Sequence, residues 1–153
     1  MIKISKLADY SVVVLSAMST HSHDVISAST LSHLTKLPEP TVSKVLKLLS
    51  KAKIIQSTRG TNGGYSLVKE PQRITMDSVI SAIDGPIAIT ACTDGAQPDC
   101  SLGNSCSLRG RWDGVNAALR SALQTVTLAD MLKISGAQTI KQTEIKDAIH
   151  GSH

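Results

Sequence analysis

Apolar residues recur at three- and four-residue steps near the start of the chain, between positions 6 and 19. This spacing predicts a first helix with one buried stripe. The stripe consists of Leu7, Tyr10, Val14, Ala17 and Met18. Ser27 then has the chemistry of a helix cap. It predicts a short second helix whose inward residues are Ala28, Leu31 and Leu34.

A third helix is predicted from the segment LPEPTVSKVLKLLSKAK at residues 37–53. Pro38 keeps the backbone extended before the helix, and Pro40 is tolerated in the first turn because that N–H would have no helical partner. The apolar stripe of this helix consists of Val42, Val45, Leu46 and Leu49. The opposite face carries Thr41, Ser43, Lys44, Lys47 and Lys51.

The segment IIQSTRGTNGGYSLV at residues 54–68 predicts a two-stranded hairpin after the third helix. The glycines expected to supply positive φ angles at its tip are Gly60, Gly63 and Gly64. Thr75 is expected to cap a fourth helix that runs through Ile83, with Gly85 just beyond its end. The predicted fold is therefore mainly α with a small β-wing, a winged helix-turn-helix.

One further apolar seam follows at helical spacing, and it predicts a long helix. It consists of Leu108, Trp112, Val115 and Leu119, continued by Ala122 or Leu123. Because no amphipathic element remains in the chain to cover this seam, a second copy of the helix is expected to do so. A short capped helix is predicted from Thr127 to Lys133, whereas residues 134–153 are too polar for a firm assignment.

The distribution of charge indicates a polyanionic partner. The whole chain has 16 basic and 12 acidic residues. Residues 36–73 contain eight basic residues and two acidic ones, a local net charge of 8 − 2 = +6. On a helix-turn-helix this excess favours DNA, although a solvated lysine-rich face is the alternative. Candidate contacts to base edges are Thr41, Ser43 and Lys44, and candidate phosphate contacts are Lys47 and Lys51.

Arg59 stands beside the Gly-rich tip of the predicted wing. A guanidinium there suits a narrow minor groove, whose negative potential attracts arginine. The alternative is an arginine solvated at the end of a strand. No apolar run approaches the ~18 residues of a membrane span, and the start lacks the layout of a secretory signal. We therefore expect a cytoplasmic protein with no membrane partner.

All three cysteines fall within residues 92–106, in the pattern C-x7-C-x5-C. They are Cys92, Cys100 and Cys106. An odd count in a reducing compartment favours thiolate ligation over disulfides, and soft thiolates select iron–sulfur clusters, zinc or copper(I). The spacing lacks the paired C-x2-C knuckles of structural zinc sites. This favours a cluster, with zinc and three free cysteines as the alternatives.

No paired carboxylates, phosphate-binding glycine loop, nucleophile elbow or Ser-His-Asp layout is evident in the sequence. An enzyme with a small-molecule substrate is therefore not expected. From these patterns we divide the chain into a DNA-binding domain (1–85), a cysteine loop (86–106), a dimerisation helix followed by a short helix (107–133), and a tail (134–153).

Five segments, in order around the cysteines, closely resemble the Rrf-type winged-helix iron–sulfur regulators of bacteria. They are ISKLADYSVVVL, LPEPTVSKVLKLLSKAKII, STRGTNGGYSL, TMDSVISAIDGPIAIT and TLADML. The resemblance covers about residues 1–133. Within that family, LPEPTVSKVLKLL together with DGPIAITAC and RGRW looks most like the Suf-system regulators, which are relatives of IscR and NsrR.

The resemblance implies a homodimer that binds double-stranded DNA at a palindromic operator. It also implies an iron–sulfur cluster on the three cysteines, for which we expect the [2Fe–2S] type rather than [4Fe–4S]. By position, residues 40–44 become the tip of the reading helix and Arg59 the minor-groove arginine. The helix that starts near Ser107 becomes the dimer seam, through Leu108, Trp112, Val115 and Leu119.

The fourth ligand of such a cluster is open. IscR-like members have a histidine three residues after the last cysteine, and here that position is Arg109, which stays protonated and cannot ligate iron. NsrR-like members use a carboxylate from the first helix of the partner subunit, and Asp9 matches that place. The alternative role of Asp9 is a helix-dipole partner. His21, His23 and His33 are expected to face solvent.

The expected function is a cluster-sensing transcription repressor that controls genes for iron–sulfur cluster assembly. The alternatives are a nitric-oxide-sensing or redox-sensing regulator of the same family and a zinc-stabilised DNA-binding module.

Overall fold

The computed structural model describes residues 2–21, 23–90, 93, 107–108 and 110–133. Its helices are α1 (Lys6–Ser19), α2 (Ala28–Thr35), α3 (Glu39–Lys51), α4 (Met76–Asp84) and α5 (Asp113–Thr125), and its strands are β1 (Ile55–Thr58) and β2 (Gly64–Leu67). Residues 128–133 are also helical. The prediction of a mainly helical winged-helix fold is confirmed. In these ranges, no helix is both long enough and apolar enough to cross a bilayer.

The first helix has the predicted bounds and is capped by Ser5. The Ser5 hydroxyl oxygen accepts a hydrogen bond from the Ala8 N–H (3.1 Å) and donates one to Asp84 Oδ1 (2.6 Å). Ser5 therefore satisfies one free N–H of α1 and also ties the start of α1 to the end of α4. Val14 and Met18 of the predicted stripe are fully buried.

The predicted cap and core residue of the second helix are confirmed, but one predicted inward residue is exposed. Ser27 caps α2 by accepting from the Thr30 N–H at 3.1 Å, and Leu31 is fully buried. Leu34, predicted to point inward, is 51% exposed. The reason is that α2 has only eight residues, and Leu34 lies on the side that lines a shallow groove with Asn62 of the wing tip.

The turn between α2 and α3 contains a residue in the left-handed conformation, Lys36, with φ of 59°. The Ser32 hydroxyl closes this turn by donating to the Leu37 carbonyl at 2.6 Å. The following helix has its predicted form, with Pro40 in the first turn. All four residues of its apolar stripe are fully buried, and α3 packs against α1, α2 and α4.

The wing is an antiparallel hairpin in which Ile55 pairs with Leu67 and Thr58 with Gly64. Ile26 extends it through two backbone hydrogen bonds with Tyr65, of 2.9 and 2.8 Å. The prediction of positive φ at all three tip glycines is wrong, since only Gly60 has it (120°).

Gly63 and Gly64 are needed for close backbone approach instead of for positive φ. A Cβ atom on Gly64 would lie 2.5 Å from the carbonyl oxygen of Ile26, and one on Gly63 would collide with the carbonyl oxygen of Thr58. The chain crossings at the base and tip of the wing therefore exclude a side chain at these two positions.

Thr75 caps the fourth helix as predicted, by accepting from the Ser78 N–H at 3.3 Å. The helix ends at Asp84, one residue beyond the predicted end, and Gly85 follows with φ of 85°. The hydrophobic core formed by these elements consists of Val14, Leu15, Met18, Ile26, Leu31, Val42, Val45, Leu46, Leu49, Ile54, Ile55, Ile74, Met76, Val79 and Leu128.

The last long helix begins at Asp113 and not near Ser107, so this prediction is wrong. Two turns precede it. In one the Arg111 N–H donates to the Leu108 carbonyl (3.0 Å), and in the other the Asp113 N–H donates to the Gly110 carbonyl (3.3 Å). Gly110 has φ of 76°, which an α-helix cannot contain. Leu108 and Trp112 therefore precede α5.

The expectation that α5 has no partner within its own chain is also wrong. The helix packs against α4, and its Leu123 contacts the hydrophobic core. Arg120 Nε lies 3.7 Å from Asp77 Oδ1 on α4, and Gln124 donates to the other oxygen of the same carboxylate at 3.4 Å. Only part of the predicted seam is thus left for another molecule.

Thr127 caps the short helix that follows α5, as predicted. The Asp130 N–H donates to the Thr127 hydroxyl oxygen at 3.2 Å, and the Thr127 N–H and hydroxyl both donate to Asp130 Oδ2 at 2.9 and 2.8 Å. These bonds favour the charged carboxylate and hold the pKa of Asp130 below its usual value. The neighbouring Leu128 N–H donates to the Ile74 carbonyl at 2.8 Å, which ties this cap to the core.

We predict that Gly64→Ala destabilises the protein by about 1–3 kcal/mol, because the added Cβ forces Ile26 away from the wing. The thermal midpoint, followed by circular dichroism, measures this loss. Gly114→Ala on α5 is the matched control, since no atom outside its chain neighbours and its own helix backbone lies within 4 Å of the place that its added Cβ would occupy. It should be neutral or stabilising by up to about 1 kcal/mol. Equal midpoints for both variants would contradict the close approach at Gly64.

Candidate nucleic-acid interface and cysteine segment

The outer face of α3 presents the polar residues proposed to contact DNA. Thr41 is half-buried, whereas the other members of the predicted set on this helix are exposed. Those exposed residues are Pro40, Ser43, Lys44, Lys47 and Lys51. The arrangement follows from the helical period, because the four buried apolar residues occupy the inner side and turn the polar positions outward.

The lysines of this face are not neutralised by acidic side chains of the described residues. Among the described residues, the close contacts between basic and acidic side chains are His21 with Asp24, at 3.7 Å, and Arg120 with Asp77. Neither pair includes α3. The positive charge of Lys44, Lys47 and Lys51 is therefore available to phosphate groups.

Arg59 follows directly after β1 and precedes Gly60, so it lies at the wing tip, and it is exposed. The wing is held against the end of α3 by the hydrogen bond from the Ile54 N–H to the Leu49 carbonyl, at 3.1 Å. Lys53 lies in this connection with φ of 59°. The position of the wing relative to the reading helix is thus set by backbone contacts.

Asp9 is exposed in the first turn of α1. This position suits the helix-dipole role, and its exposure also leaves the carboxylate accessible to another subunit. The three histidines considered as ligands were expected to face solvent. This prediction is confirmed, because His21, His23 and His33 are all exposed.

The three cysteines, Arg109 and the tail 134–153 lie outside the described residues. In the part of the chain that the structure does describe, no three His, Cys, Asp or Glu side chains are grouped closely enough to hold a metal ion. Thiolates as a donor type are soft ligands that suit iron and sulfide.

Two buried polar side chains form hydrogen bonds with the backbone of residues 87–90, which precede the first cysteine. Thr93 is only 4% exposed, and its N–H and hydroxyl donate to the Thr90 carbonyl at 3.3 and 2.9 Å. Asn116 of α5, also 4% exposed, is bonded to the backbone of Ile87 and Ile89. The start of the cysteine segment is thus attached to the helix that follows it.

The residues of the predicted dimer seam fall into two groups. Leu108, Trp112 and Val115 are 51%, 42% and 50% exposed. Leu119 is half-buried and lines an apolar groove of about 310 Å³ between α5, α4 and the N-terminal segment. The apolar side chains that line this groove with it are Ile2, Ile4, Ile80, Ile87, Ile89 and Leu123.

Together, a helix-turn-helix whose second helix is basic outside and apolar inside, and a hairpin wing packed at its end, define a winged-helix DNA-binding protein. Residues 4–134 match the model of the Rrf2 family, which is described as an iron-dependent transcriptional regulator. The chain belongs to the Rrf2 family of transcriptional regulators, and it is a regulator and not an enzyme.

Individual relatives agree with this assignment. The HTH-type transcriptional regulator IscR of Vibrio atlanticus is 26% identical over 132 residues, which cover 86% of this chain and 75% of that protein. The structure of T. potens IscR matches with a TM-score of 0.62 and 27% identity, over 88% of each chain. CymR, the global cysteine regulator of B. subtilis, has the same fold, with a TM-score of 0.66 at 24% identity over 88% of this chain and 98% of its own.

The sequence pattern did not single out Asn116 or Asp77, which connect α5 to the rest of the molecule. Asn116 did carry a detectable signal. It lies three and seven residues before Leu119 and Leu123, so helical spacing places this polar residue on the apolar side that faces the core. A polar residue at such a position requires hydrogen-bond partners.

We predict that Lys47→Ala weakens binding to any duplex and makes it less sensitive to salt. Loss of one phosphate contact lowers the slope of log K against log salt concentration by about 0.9. Fluorescence anisotropy with a labelled duplex, over a series of salt concentrations, measures both effects. Lys133→Ala, which removes the same charge outside α3, should leave the slope unchanged. An unaltered slope in Lys47→Ala would exclude Lys47 from phosphate contact.

Proposed function

We propose that this chain is a homodimeric transcription repressor that binds an iron–sulfur cluster, recognises a palindromic operator and controls genes for iron–sulfur cluster assembly. The observation that carries the proposal is the combination, in one chain, of an un-neutralised basic reading helix and a three-thiol segment attached to α5. The family assignment supports the regulatory role, and the cluster follows from the chemistry of the thiols.

In this proposal α3 enters the major groove with its N-terminal end deepest. The residues that contact base edges are Thr41, Ser43 and Lys44. Pro40 lies beside them in the first turn, where its lack of an N–H leaves no helical hydrogen bond unmade. Lys47 and Lys51 lie further along the helix and contact phosphates. Arg59 at the wing tip enters the adjacent minor groove. Direct base contacts supply sequence preference, and phosphate contacts supply most of the affinity.

A second copy of the chain covers the exposed part of the seam. Leu108, Trp112 and Val115 are large exposed apolar side chains of α5 and of the turns before it. Leu119 of the same helix lines the apolar groove. Projecting apolar side chains and an apolar groove on the same helix suit a twofold contact, in which each subunit supplies both. A twofold axis also presents two reading helices, as two half-sites about 34–36 Å apart require.

The cluster would be held by Cys92, Cys100 and Cys106, with Asp9 of the partner subunit as the fourth ligand and [2Fe–2S] as the favoured type. When bound, the group supplies a rigid link between the thiolates and a charge that changes with oxidation state. The chain's own contribution is to hold the backbone beside Cys92 through Thr93 and Asn116. Because that backbone is attached to α5, a change at the thiols alters the helix that forms the dimer seam.

We predict that protein purified without oxygen is coloured and contains iron and acid-labile sulfide in equal amounts. Asp9→Ala should lower the retained iron and sulfide per chain, because one ligand is lost, while the thermal midpoint changes little at this exposed position. Asp24→Ala, which removes another exposed carboxylate, is the control. Zinc without sulfide would contradict the cluster, and unchanged retention in Asp9→Ala would contradict only the assignment of the fourth ligand.

We further predict that Val115→Glu converts the dimer into a monomer of 16.2 kDa, because a buried unpaired carboxylate opposes association. Sedimentation equilibrium measures the mass. Ser121→Glu places the same charge on another exposed side of α5 and should leave the dimer intact. A wild-type protein that sediments as a monomer, or a dimeric Val115→Glu variant, would show that this seam is not the interface.

A further inference from the structure

Asn116 is a polar side chain held inside the molecule by two backbone hydrogen bonds. It lies near the start of α5 and is 4% exposed. Its Oδ1 accepts from the Ile89 N–H at 3.1 Å, and its Nδ2 donates to the Ile87 carbonyl at 3.1 Å. One amide therefore satisfies a donor and an acceptor of the same segment, as a neighbouring strand would.

The Asn116 side chain joins the two ends of the stretch that contains the cysteines, residues 90–115, which we call the cysteine segment. Ile89 lies three residues before Cys92, and Asn116 lies ten residues after Cys106. All three thiols thus belong to the stretch 90–115, which the Asn116 amide closes. A loop of this length with free ends would not transmit a displacement from one end to the other, because its many conformations absorb the movement.

Thr93, which follows Cys92 in the sequence, is buried and closes a local turn by donating two hydrogen bonds to the Thr90 carbonyl. A rearrangement of the thiols would act next to this turn. Asn116 attaches the residues just before it, Ile87 and Ile89, to α5.

The amide group suits this role better than other side chains of similar size. Leucine would leave the Ile89 N–H and the Ile87 carbonyl without partners at a partly buried position, which is unfavourable. Aspartate would keep the acceptor for Ile89 but would lose the donor for Ile87. The neighbouring Val115 belongs to the exposed apolar surface, so a shift of Asn116 along the helix axis also moves a residue of the proposed interface.

We propose that Asn116 is the positioning residue that couples the cysteine segment to α5. Through its two hydrogen bonds, the state of the thiols reaches the dimer helix and changes operator affinity. This inference rests on the proposed function, in which the thiols hold a cluster and α5 forms the dimer seam. The role of Asn116 is to position the backbone, and it is separate from ligation and from DNA contact.

The test compares operator affinity of metal-free protein with that of protein reconstituted with iron and sulfide. The probe is a duplex that wild-type protein selects from a random-sequence pool, and samples are matched for iron and sulfide per chain. Wild type should show a ratio of affinities of at least about fivefold, typical of coupled sites. In Asn116→Ala the ratio should fall to about one, whereas the control Ser121→Ala on the exposed side of α5 should keep the wild-type ratio.

A second measurement tests the hydrogen bond between Asn116 and Ile89 directly and needs no cluster. Hydrogen exchange of the Ile89 amide should accelerate in Asn116→Ala, because its acceptor is removed, and should stay slow in Asn116→Asp, which retains an acceptor. This pattern would not follow from general destabilisation, which accelerates exchange throughout the core in proportion to stability. If Asn116→Ala does not fold, Asn116→Asp takes its place in the affinity test, where loss of the Ile87 bond should reduce the ratio.

The possible results distinguish failure of the role proposed for Asn116 from failure of the proposed cluster-dependent repressor. A wild-type ratio of one would overturn both the cluster-dependent repressor and the role of Asn116. A large wild-type ratio that persists in Asn116→Ala would overturn the role of Asn116 alone. Unchanged exchange of the Ile89 amide in Asn116→Ala would also overturn it, since the proposed bond would then not protect that amide.

Discussion

Val42, Val45, Leu46 and Leu49 bury one side of α3 completely against α1, α2 and α4. Each such side chain contributes about 1.5–3 kcal/mol to the stability of the fold, so the orientation of this helix is far more strongly determined than any single polar contact at about 0.5–1.5 kcal/mol. The basic outer face therefore stays directed to solvent whatever happens elsewhere in the chain. In the proposed dimer, regulation would therefore act on the spacing of two such helices and not on the face itself.

The elements that the sequence predicted correctly depend on local chemistry. The stripes of α1 and α3 follow from helical spacing, and the caps at Ser27 and Thr75 need only a hydroxyl next to a free N–H. The errors involve contacts between distant segments or unexpected turns. Ile26 crosses the wing at Gly64, the turn at Gly110 delays the start of α5, and Asn116 reaches back to Ile89. Residue spacing can place Asn116 on the apolar side of α5, but it does not identify which distant backbone groups come close, so the contacts themselves became visible only in the folded chain.

In the candidate site too, features set by local residue spacing could be predicted, whereas contacts between distant segments could not. The set of polar residues on α3 could be named from the sequence, because an apolar stripe on one side leaves the polar residues on the other. The attachment of α5 to α4 through Asp77, Arg120 and Gln124 could not be predicted from the sequence. It depends on polar residues of two helices that are far apart in the chain. This attachment makes α5 a part of the DNA-binding unit, so that a helix shared with a second subunit would also determine how the two reading helices are placed.

The central claim is that iron and sulfide on the three thiols alter how a twofold protein binds its operator. The most direct measurement is the operator affinity of a single oxygen-free preparation, determined before and after iron and sulfide are removed by a chelator. We expect the affinity to change several-fold on removal and to be restored by reconstitution. An affinity that stays the same through removal and reconstitution would contradict the claim.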